Sequence, residues 1–444
     1  MKFIASPSGT LSGDIRVAGD KSISHRSIML GSLAEGVTQV TGFLEGEDAL
    51  ATLNAFRAMG VDIEGPDDGR VTIHGVGLNG LKAPKTDLYM GNSGTSMRLI
   101  AGLVAGQDFS VTLTGDVSLS KRPMERVAAP LRLMGASIIM EAGGRPPLRV
   151  QGGQALKAIH YDLPMASAQV KSCVLLAGLY AEGETSTTEP APTRDHTERM
   201  LRGFGYEVDV EGATAKLTGG GKLVATDIDV PADISSAAFF MVAASIAPGS
   251  SITLQHVGLN PTRDGIIQIL RLMGADINLF NEREVGGEPV ADIRVRSAQL
   301  MGIEIPEALV PLAIDEFPVL FVAAACAQGR TVLTGAEELR VKESDRIQVM
   351  AEGLQSLGID AEPTADGIII EGKGDWAAEA QSTIFSGGNI ESHHDHRIAM
   401  SFAVASLRAA AAIHIHGCDN VATSFPNFIQ LAQQVGFAIE QFDE

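Results

Sequence analysis

The sequence has 444 residues, of which 45% are hydrophobic and 20% are charged, and its 54 acidic against 34 basic residues give a net charge of −20. A chain of this length can bury a large core and is expected to form two or three domains. The acidic balance argues against nucleic acid or an anionic membrane as a partner, because both attract basic surfaces. If the ligand is an anion, basic residues must be gathered locally against this overall charge.

Cysteine usage and hydropathy predict a soluble cytoplasmic protein. Cys173, Cys326 and Cys418 are an odd number without CxxC spacing, which argues against a disulfide framework and against a zinc site. The N-terminus lacks the apolar core of a secretory signal peptide. The longest apolar runs, such as residues 237–247, are shorter than the roughly 18 residues that a membrane span needs.

The first candidate ligand-binding stretch is Gly-Asp-Lys-Ser-Ile-Ser-His-Arg at residues 19–26, which runs into an apolar segment. Asp20 and Ser22 are typical capping residues, and a helix N-terminus presents unpaired N–H groups and a positive dipole to an anion. Lys21 and Arg26 add formal charge, and Ser22 and Arg26 would share one helix face. For this stretch alone, the alternative is a capped surface helix with two solvated basic residues.

A helix end that closes on a glycine recurs six times along the chain at near-regular intervals. These glycines are Gly60, Gly135, Gly205, Gly274, Gly358 and Gly436. Each copy opens with a helix rich in small residues, and these helices are predicted to begin at Lys21, Thr95, Ala168, Ser235, Phe317 and Arg397. Internal repetition of this kind indicates a duplicated architecture. Each unit is interpreted as helix, strand, helix and strand, with one or two further strands.

The first helix of each unit is apolar on nearly every face, as in residues 237–244, which is typical of a helix buried on all sides. Helices inside and sheets outside satisfy this pattern, and an ordinary sheet covered by helices is the alternative. Three units fall in residues 20–230 and three in 231–444. Residues 1–19 hold two strand-like segments, which are expected to complete the last unit and so to join the second domain.

Basic and small residues also stand where the other helices are predicted to begin, where N–H groups can approach a phosphate or carboxylate. They are Asn92, Gly94, Arg122, Ser167, Ala168, Gln169, Lys171, Arg194, Lys342, Arg346 and Arg397. Pro123, just after Arg122, is predicted to mark a first helical turn. Lys342 and Arg346 would be like-charged neighbours on one helix, which is unfavourable unless an anion lies between them. Glu343 is the internal alternative to such an anion.

Asp315 is the carboxylate that could act as a base among these cations. The alternative is that Asp315 only caps the following helix, which is also the interpretation for Asp233. The segment His-His-Asp-His-Arg at 393–397 admits either a metal site or an anion clamp. The anion clamp is favoured, and no metal site is predicted.

Eight short motifs, in this order, resemble the family of 5-enolpyruvylshikimate-3-phosphate synthases over essentially the whole chain. They occupy residues 19–22, 92–98, 122–124, 167–171, 194–198, 260–263, 342–346 and 395–397. Three of them, Ser-Ala-Gln-Val-Lys, Arg-Asp-His-Thr-Glu and Asn-Pro-Thr-Arg, are similar to the second class of the family, whose members tend to tolerate glyphosate. The resemblance implies an α/β fold of two domains, 20–230 and 1–19 plus 231–444. Each domain would hold three βαβαββ units in an inside-out α/β barrel, with the active site in the cleft between the domains.

The resemblance also implies an activity: transfer of the enolpyruvyl group of phosphoenolpyruvate to the 5-hydroxyl of shikimate 3-phosphate, in the shikimate pathway to chorismate and aromatic amino acids. It implies no cofactor, a monomer, and glyphosate as an inhibitor. The implied shikimate 3-phosphate contacts are Lys21, Ser22, Arg26, Ser167, Ala168, Gln169, Arg194, Asp315 and Lys342. The implied phosphoenolpyruvate contacts are Lys21, Asn92, Gly94, Arg122, Gln169, Arg346 and Arg397. The implied catalytic residues are Asp315, which accepts the hydroxyl proton, and Glu343 or Lys21, which exchanges the proton on the methylene carbon.

Some positions depart from the family pattern, and two other functions stay open. Thr423 stands where some members have a lysine, so no cation is expected there, and Glu338 replaces an asparagine of some members, which leaves that substrate contact in doubt. Gly94 is the small residue of glyphosate-sensitive members. One alternative is the sister enolpyruvyl transferase acting on UDP-N-acetylglucosamine, but that family has a cysteine near Arg122, which residues 116–126 lack. The other is a non-catalytic repeat scaffold.

Overall fold

A computed structural model of the protein describes residues 1–375 and 383–443. Backbone contacts divide the chain into two compact units. The 19–230 unit comprises Gly19–Val230 together with Val285–Glu288. The 231–444 unit comprises Met1–Ala18, Pro231–Glu284 and the chain from Pro289 onward. Each unit has a hydrophobic core of its own.

Within the described ranges there are twelve α-helices, six in each unit. Those of the 19–230 unit are α1 (Lys21–Leu33), α2 (Glu47–Ala58), α3 (Gly94–Ala105), α4 (Glu125–Leu133), α5 (Ala168–Gly178) and α6 (His196–Gly203). Those of the 231–444 unit are α7 (Ile234–Ile246), α8 (Gly265–Leu272), α9 (Phe317–Cys326), α10 (Arg346–Ser356), α11 (His396–Ala405) and α12 (Phe428–Val435). The odd-numbered helices begin within one residue of the predicted positions, which confirms that part of the sequence analysis.

The even-numbered helices end one or two residues before the six predicted glycines, as the repeated pattern requires. All six glycines have a backbone φ between 77° and 114°. Glycine reaches this left-handed region without the steric penalty that a side chain brings, so it can end a helix and redirect the chain. At the end of α2, for example, Gly60 N donates to Arg57 O at 3.0 Å and Val61 N donates to Phe56 O at 3.1 Å.

The strands are short and belong to six sheets in the described part of the chain. The first fifteen are β1 (Lys2–Ser6), β2 (Ser12–Ile15), β3 (Ala34–Thr41), β4 (Asp62–Asp67), β5 (Arg70–Val76), β6 (Leu88–Tyr89), β7 (Val111–Thr114), β8 (Ser137–Glu141), β9 (Arg145–Gln151), β10 (His160–Asp162), β11 (Glu184–Thr188), β12 (Asp209–Glu211), β13 (Thr214–Thr218), β14 (Leu223–Val224) and β15 (Ile228–Asp229). The others are β16 (Ser251–Gly258), β17 (Asp276–Val285), β18 (Glu288–Arg296), β19 (Gln328–Leu333), β20 (Asp360–Pro363), β21 (Ile368–Lys373), β22 (Gly388–Glu391), β23 (Ile413–His416) and β24 (Ala438–Phe442).

Three sheets belong to the 19–230 unit, with strand orders β14-β3-β5-β4, β6-β7-β9-β8 and β10-β11-β13-β12, and β15 also pairs with β3. The other three have the orders β17-β18-β16-β2, β19-β21-β20 and β22-β23-β1-β24. Five of the six contain a parallel pair: β14 with β3, β6 with β7, β10 with β11, β2 with β16 and β22 with β23. β15 also pairs in parallel with β3, whereas the strands of the β19-β21-β20 sheet are antiparallel. Five sheets are therefore mixed and one is antiparallel.

The two leading strands join different sheets. β1 lies between β23 and β24, so it completes the last sheet as predicted. β2 instead pairs in parallel with β16, where Ile15 aligns with Leu254, and the prediction that it joins the last unit is wrong. Both side chains are buried, and Leu11 N donates to Ser250 Oγ at 2.8 Å just before the strand. Burial of Ile15 in the β16 sheet thus decides where β2 pairs.

The helices that the sequence predicted to be apolar on every face are buried. Every residue of α7 and of α9 is buried, and α9 packs against both α7 and α11. In the 19–230 unit, α3 packs against α5 in the same way. A helix without a polar face is stable only in such surroundings. No helix in the described ranges is both long and apolar enough to cross a membrane.

Candidate active site

The N-terminus of α1 presents Lys21 as its first residue. Asp20 caps the helix by accepting a hydrogen bond from Ile23 N at 2.8 Å. The Lys21 ammonium contacts the carboxylate of Asp48, a buried residue in the first turn of α2. Sequence analysis missed Asp48, because an acidic residue in a first helical turn is ordinary and carries no sign of its partner.

Loss of the Asp48 charge should release the Lys21 side chain. The sequence resemblance implies that Lys21 contacts phosphoenolpyruvate. On that expectation, Asp48→Asn should raise the KM for phosphoenolpyruvate about tenfold, because a neutral amide holds an ammonium less firmly than a carboxylate does. Steady-state kinetics measure this effect. Glu47→Gln is the matched control, since Glu47 is the exposed neighbour in the same turn. Equal KM values for the two variants would contradict a role for Asp48 in holding Lys21.

Arg26 is buried on α1 and is fixed by three hydrogen bonds. It donates to Ser22 O at 2.9 Å, to Thr197 Oγ1 at 2.7 Å and to Ser172 Oγ at 2.8 Å. Burial lowers the pKa of Arg26 to about 10, against the opposing effect of Glu198. Arg26 is therefore still charged at neutral pH, and its guanidinium is oriented by residues of α5 and α6.

A buried chain of hydroxyl groups joins α1 to the first turn of α3. His25 Nδ1 lies 2.8 Å from Thr52 Oγ1, which lies 2.6 Å from Ser96 Oγ. Ser96 Oγ donates to Ser93 Oγ at 2.7 Å, and Ser93 caps α3 by accepting from Ser96 N at 3.1 Å. Burial, and then the charge of Lys21, lower the pKa of His25 well below its ordinary value. His25 is thus neutral at neutral pH and adds no charge to this cationic region.

Arg122 and Asn92 are linked directly. Arg122 Nη2 donates to Asn92 Oδ1 at 2.6 Å, and Asn92 Nδ2 donates to Asp116 Oδ2 at 2.7 Å. Arg122 follows a short 3-10 helix, Leu119–Lys121. The prediction that Pro123 lies in a first helical turn is wrong, because α4 begins at Glu125. The short helix, rather than α4, positions Arg122.

Gly94 begins α3 between two guanidinium groups. A Cβ atom placed on Gly94 would lie 3.3 Å from Arg122 Nη1 and 3.4 Å from Arg98 Nη1. These separations are tighter than most contacts of a real Cβ, so a side chain at this position would push on both arginines.

Gly94→Ala should therefore displace these arginines by a few tenths of an ångström. The sequence resemblance implies that phosphoenolpyruvate binds at Gly94. On that expectation, the KM for phosphoenolpyruvate should rise about tenfold, which corresponds to the lower end of the free-energy cost of overpacking, while the KM for the second substrate changes little. Initial-rate kinetics with each substrate varied in turn measure the difference. Gly9→Ala is the control, because a Cβ on Gly9 has nothing within 4 Å. An unchanged KM in Gly94→Ala would be the contrary result.

Gln169 ties α5 to the first turn of α3. Its Oε1 accepts a hydrogen bond from Arg98 Nη1, and its Nε2 donates to Thr95 Oγ1 at 2.9 Å. These two bonds fix the orientation of the Gln169 amide, with its oxygen toward Arg98 and its nitrogen toward Thr95. Ser167 caps α5 by accepting from the helix backbone at 3.3 Å. Arg98 was part of a quoted motif but was not among the predicted contacts.

Nine of the ten predicted site residues of the 19–230 unit lie in the first two turns of a helix or just before it: Lys21, Ser22, Arg26, Asn92, Gly94, Ser167, Ala168, Gln169 and Arg194. The tenth, Arg122, follows the 3-10 helix Leu119–Lys121. Ala168 is the first residue of α5, and Arg194 lies just before Asp195, the N-cap of α6. Arg194 is close enough to Arg26 to lower its pKa. Cations and helix dipoles together make this part of the 19–230 unit an anion-binding surface.

In the 231–444 unit, Asp315 lies among cations. Its Oδ1 is 3.3 Å from Arg346 Nη1 and 3.6 Å from Lys342 Nζ. The alternative that Asp315 caps α9 is wrong, because Glu316 occupies the N-cap position. Asp315 is therefore a partly buried carboxylate that is held by two basic side chains.

Arg346 is the first residue of α10 and its side chain is only 1% exposed. Its Nε lies 2.9 Å from Asp395 Oδ2 and its Nη2 lies 2.7 Å from Glu343 Oε2. Burial opposes the charge, but Asp395, Glu343 and Asp315 outweigh it and raise the pKa of Arg346. Burial likewise disfavours the Asp395 carboxylate, yet Arg346 holds the pKa of Asp395 below its ordinary value. Both side chains therefore remain charged, and Glu343 is the internal partner that the sequence suggested.

Lys342 and Arg346 do not share a helix. Lys342 follows a 3-10 helix, Glu337–Val341, and α10 begins at Arg346, so the prediction of two neighbours on one helix is wrong. They meet at Asp315 instead. Lys342 Nζ also lies 2.8 Å from Glu338 Oε1. Glu338 is thus an ion-pair partner of Lys342.

Arg397 contacts the segment before α9. Its Nη1 donates to Asp315 O at 2.8 Å and lies 3.7 Å from Glu316 Oε1. Glu316 is buried and accepts a hydrogen bond from Ser235 Oγ. Arg397 is thereby anchored to the backbone carbonyl of Asp315 and to the Glu316 carboxylate.

Three further predictions of the sequence analysis concern the 231–444 unit. Asp233 caps α7 by accepting from Ser235 N at 2.8 Å, as predicted, and Arg263 donates to Asp233 Oδ1 at 3.0 Å. Thr423 is buried and donates to Asn420 O at 2.6 Å. In the described ranges, no three or more His, Cys, Asp and Glu side chains are arranged to hold a metal ion.

Comparison with known proteins identifies the family. Residues 5–431 match the family profile described as EPSP synthase (3-phosphoshikimate 1-carboxyvinyltransferase). The chain is 66% identical over 438 residues to the 3-phosphoshikimate 1-carboxyvinyltransferase of Methylococcus capsulatus, covering 99% of this chain and 98% of that one. It is also 66% identical over 443 residues to that of Alkalilimnicola ehrlichii, covering 100% of this chain and 97% of that one. A solved structure of EPSP synthase from Acinetobacter baumannii matches with a TM-score of 0.90 and 65% identity, covering 99% of this chain and 100% of that one. This chain belongs to the EPSP synthase family of transferases in the shikimate pathway.

Proposed function

We propose that the chain transfers the enolpyruvyl group of phosphoenolpyruvate to the 5-hydroxyl of shikimate 3-phosphate, giving 5-enolpyruvylshikimate 3-phosphate and phosphate. Its membership of the family supports this activity. The observation that carries the proposal is the position of Asp315, within 3.6 Å of Lys342 and 3.3 Å of Arg346. In this position Asp315 could remove the proton from the 5-hydroxyl of shikimate 3-phosphate, while Lys342 and Arg346 stabilise the negative charge of phosphoenolpyruvate beside it.

The proposal includes the architecture that the sequence resemblance implied. Residues 20–230 and 1–19 plus 231–444 would form the two domains, each with three βαβαββ units of an inside-out α/β barrel. The six sheets and the two separate cores support this organisation. Both halves of the site would then act on the same pair of substrates, in a cleft that domain closure shields from water.

Shikimate 3-phosphate is proposed to bind mainly through the 19–230 unit. The phosphate is a dianion, which suits arginines and capped helix N-termini better than isolated lysines. The proposed contacts are Lys21, Ser22, Arg26, Ser167, Ala168, Gln169 and Arg194, with Asp315 and Lys342 at the 5-hydroxyl. The conformational restraint of Arg26 and Gln169 supports this assignment, since side chains fixed in advance lose little entropy on binding.

Phosphoenolpyruvate is proposed to bind through residues of both units. The proposed contacts are Lys21, Asn92, Gly94, Arg122, Gln169, Arg346 and Arg397. Its phosphate and carboxylate require several cations, and Arg346 and Arg397 supply two of them from neighbouring helix starts. Glyphosate, also an anion, is proposed to compete at this site.

In the proposed mechanism, Asp315 takes the proton of the 5-hydroxyl as its oxygen attacks C2 of phosphoenolpyruvate. Glu343 or Lys21 donates a proton to the methylene carbon C3, which becomes a methyl group in a tetrahedral intermediate. In the second step a C3 proton returns to the same group, the C2=C3 double bond forms again, and the bond between C2 and the phosphate oxygen breaks. The proton held by Asp315 leaves with the phosphate. Arg346 and Arg397 stabilise negative charge on the departing group.

Phosphate release tests the proposal. The purified protein, a proposed monomer, is mixed with phosphoenolpyruvate and shikimate 3-phosphate in the presence of a chelator, and phosphate and the enolpyruvyl ether are measured together. We expect one phosphate for each ether, inhibition by glyphosate that phosphoenolpyruvate relieves, and no reaction with UDP-N-acetylglucosamine. Folded protein that releases no phosphate would overturn the proposal. Reaction with the nucleotide sugar instead would indicate the sister transferase.

A further inference from the structure

Lys171 on α5 is a buried cation that has no role in the proposed mechanism. Its side chain is 4% exposed, and its ammonium lies 2.9 Å from Glu198 Oε1 and 3.2 Å from Glu189 Oε1. Lys171 Nζ also donates to Thr193 O at 3.4 Å. A buried ammonium needs such partners because leaving water is costly for a charge. All three partners lie close to Arg194 in sequence, two before it and one after it.

The segment before Arg194 is held to Lys171 in two ways. Glu189 accepts hydrogen bonds from Thr193 N at 3.2 Å and from Thr193 Oγ1, which closes residues 189–193 into a compact loop. Lys171 binds this loop at the Glu189 carboxylate and at the Thr193 carbonyl. The residue that precedes Arg194 therefore has a fixed backbone position.

The segment after Arg194 is held to the same lysine. Glu198 lies in the first turn of α6, and its Oε1 is the nearer of the two carboxylate contacts of Lys171. Lys171 thus binds the chain on both sides of Arg194. The carboxylates of Glu189 and Glu198 already neutralise the Lys171 ammonium, so Lys171 is poorly suited to bind a phosphate.

Ser172, the next residue on α5, helps to hold Arg26, the other arginine proposed to bind shikimate 3-phosphate. Ser172 Oγ accepts from Arg26 Nη2 at 2.8 Å and from Thr197 Oγ1 at 2.8 Å. Thr197 in turn accepts from Arg26 Nε at 2.7 Å. Two adjacent residues of α5 therefore hold the two arginines that are proposed to bind shikimate 3-phosphate. Ser172 contacts Arg26 directly, and Lys171 contacts the segments on either side of Arg194.

We propose that Lys171 is a positioning residue for Arg194. It fixes the 189–193 loop and the start of α6 against α5, so that the Arg194 guanidinium is aimed at the phosphate of shikimate 3-phosphate, and it does not touch the substrate. This inference rests on the proposed function of Arg194. The positions of Gln169 and of the phosphoenolpyruvate contacts do not depend on it.

A double-mutant cycle with Lys171→Met and Arg194→Ala tests the inference. Each single variant is expected to raise the KM for shikimate 3-phosphate at least about tenfold while the KM for phosphoenolpyruvate stays within about twofold. The double variant is expected to be no worse than Arg194→Ala alone, because Lys171 acts only through Arg194. Additive effects would show that Lys171 meets the substrate itself and would overturn the inference.

Two further variants separate positioning from folding. Glu189→Gln keeps the loop and the lysine but weakens their ion pair, so it should raise the same KM by a smaller factor even if Lys171→Met fails to fold. Val150→Ala removes core volume from β9 in the same unit and should lower the melting temperature without changing either KM. If KM follows melting temperature alone across these variants, the inference fails. Phosphate release by the unmutated protein is measured first, so that failure of the proposed function is recognised separately.

Discussion

Replacing Asp315 with asparagine is expected to lower kcat by about 10²–10⁴-fold, the range over which a positioned general base contributes. Asparagine keeps the shape of the side chain, but its amide does not accept the hydroxyl proton. The neighbouring cations, 3.3 Å away at Arg346 and 3.6 Å away at Lys342, would still bind anions. The KM for each substrate should therefore change less than about threefold. Steady-state kinetics and a single-turnover measurement of phosphate release give the two quantities.

The matched control for this variant is Glu338→Gln. Glu338 is the other carboxylate that contacts Lys342, at 2.8 Å, and it is exposed and has no proposed part in proton transfer. Its loss should change kcat only a few-fold, the scale of an exposed ion pair. A comparable fall in kcat in both variants would mean that the charge state of Lys342, rather than a base, limits the reaction. A large rise in KM with kcat preserved in Asp315→Asn would reject its role as the base.

The helix boundaries were predictable because they are encoded locally. Capping residues, small residues and glycines lie next to the backbone groups that they affect, so Asp233, Asp20 and the six terminal glycines could be recognised without knowledge of the fold. The pairing of β2 was not predictable in this way. Ile15 meets Leu254 only because distant segments come together in one sheet. Strand partners depend on the whole chain, whereas helix ends depend on a few residues.

The candidate site shows the same division. The basic residues at helix starts stood out from their motifs, but the pairing of Lys21 with Asp48 and of Arg346 with Asp395 did not. Asp48 contacts Lys21 from another helix, and Asp395 contacts Arg346 from 49 residues further along the chain. Nothing near Asp48 distinguishes it from an ordinary first-turn acid. The contact between Asp315 and Arg346, 31 residues away, could not be read from the sequence around Asp315 either.

Replacing Arg346 with methionine is expected to destabilise the 231–444 unit by about 3–5 kcal/mol, because it leaves the buried Asp395 carboxylate without its cation. Asp395 is 0% exposed and Arg346 is 1% exposed, so water cannot take over the role of the partner. The urea midpoint measures this loss, and the unfolding slope should stay the same if only stability has changed. Activity should fall as well, since Arg346 is also a proposed phosphoenolpyruvate contact.

A second substitution separates these two effects. In the Arg346→Met, Asp395→Asn double variant the buried charge is gone, and asparagine is still able to cap α11. We expect most of the stability to return while the KM for phosphoenolpyruvate stays high, because neutralising Asp395 does not restore a cation to the site. Arg397→Met is the comparison, since Arg397 is more exposed and lies 3.7 Å from the buried Glu316 carboxylate, against 2.9 Å between Arg346 and Asp395. It should weaken phosphoenolpyruvate binding with little loss of stability. If the double variant regained activity along with stability, Arg346 would serve only to neutralise Asp395, and its proposed contact with substrate would have to be abandoned.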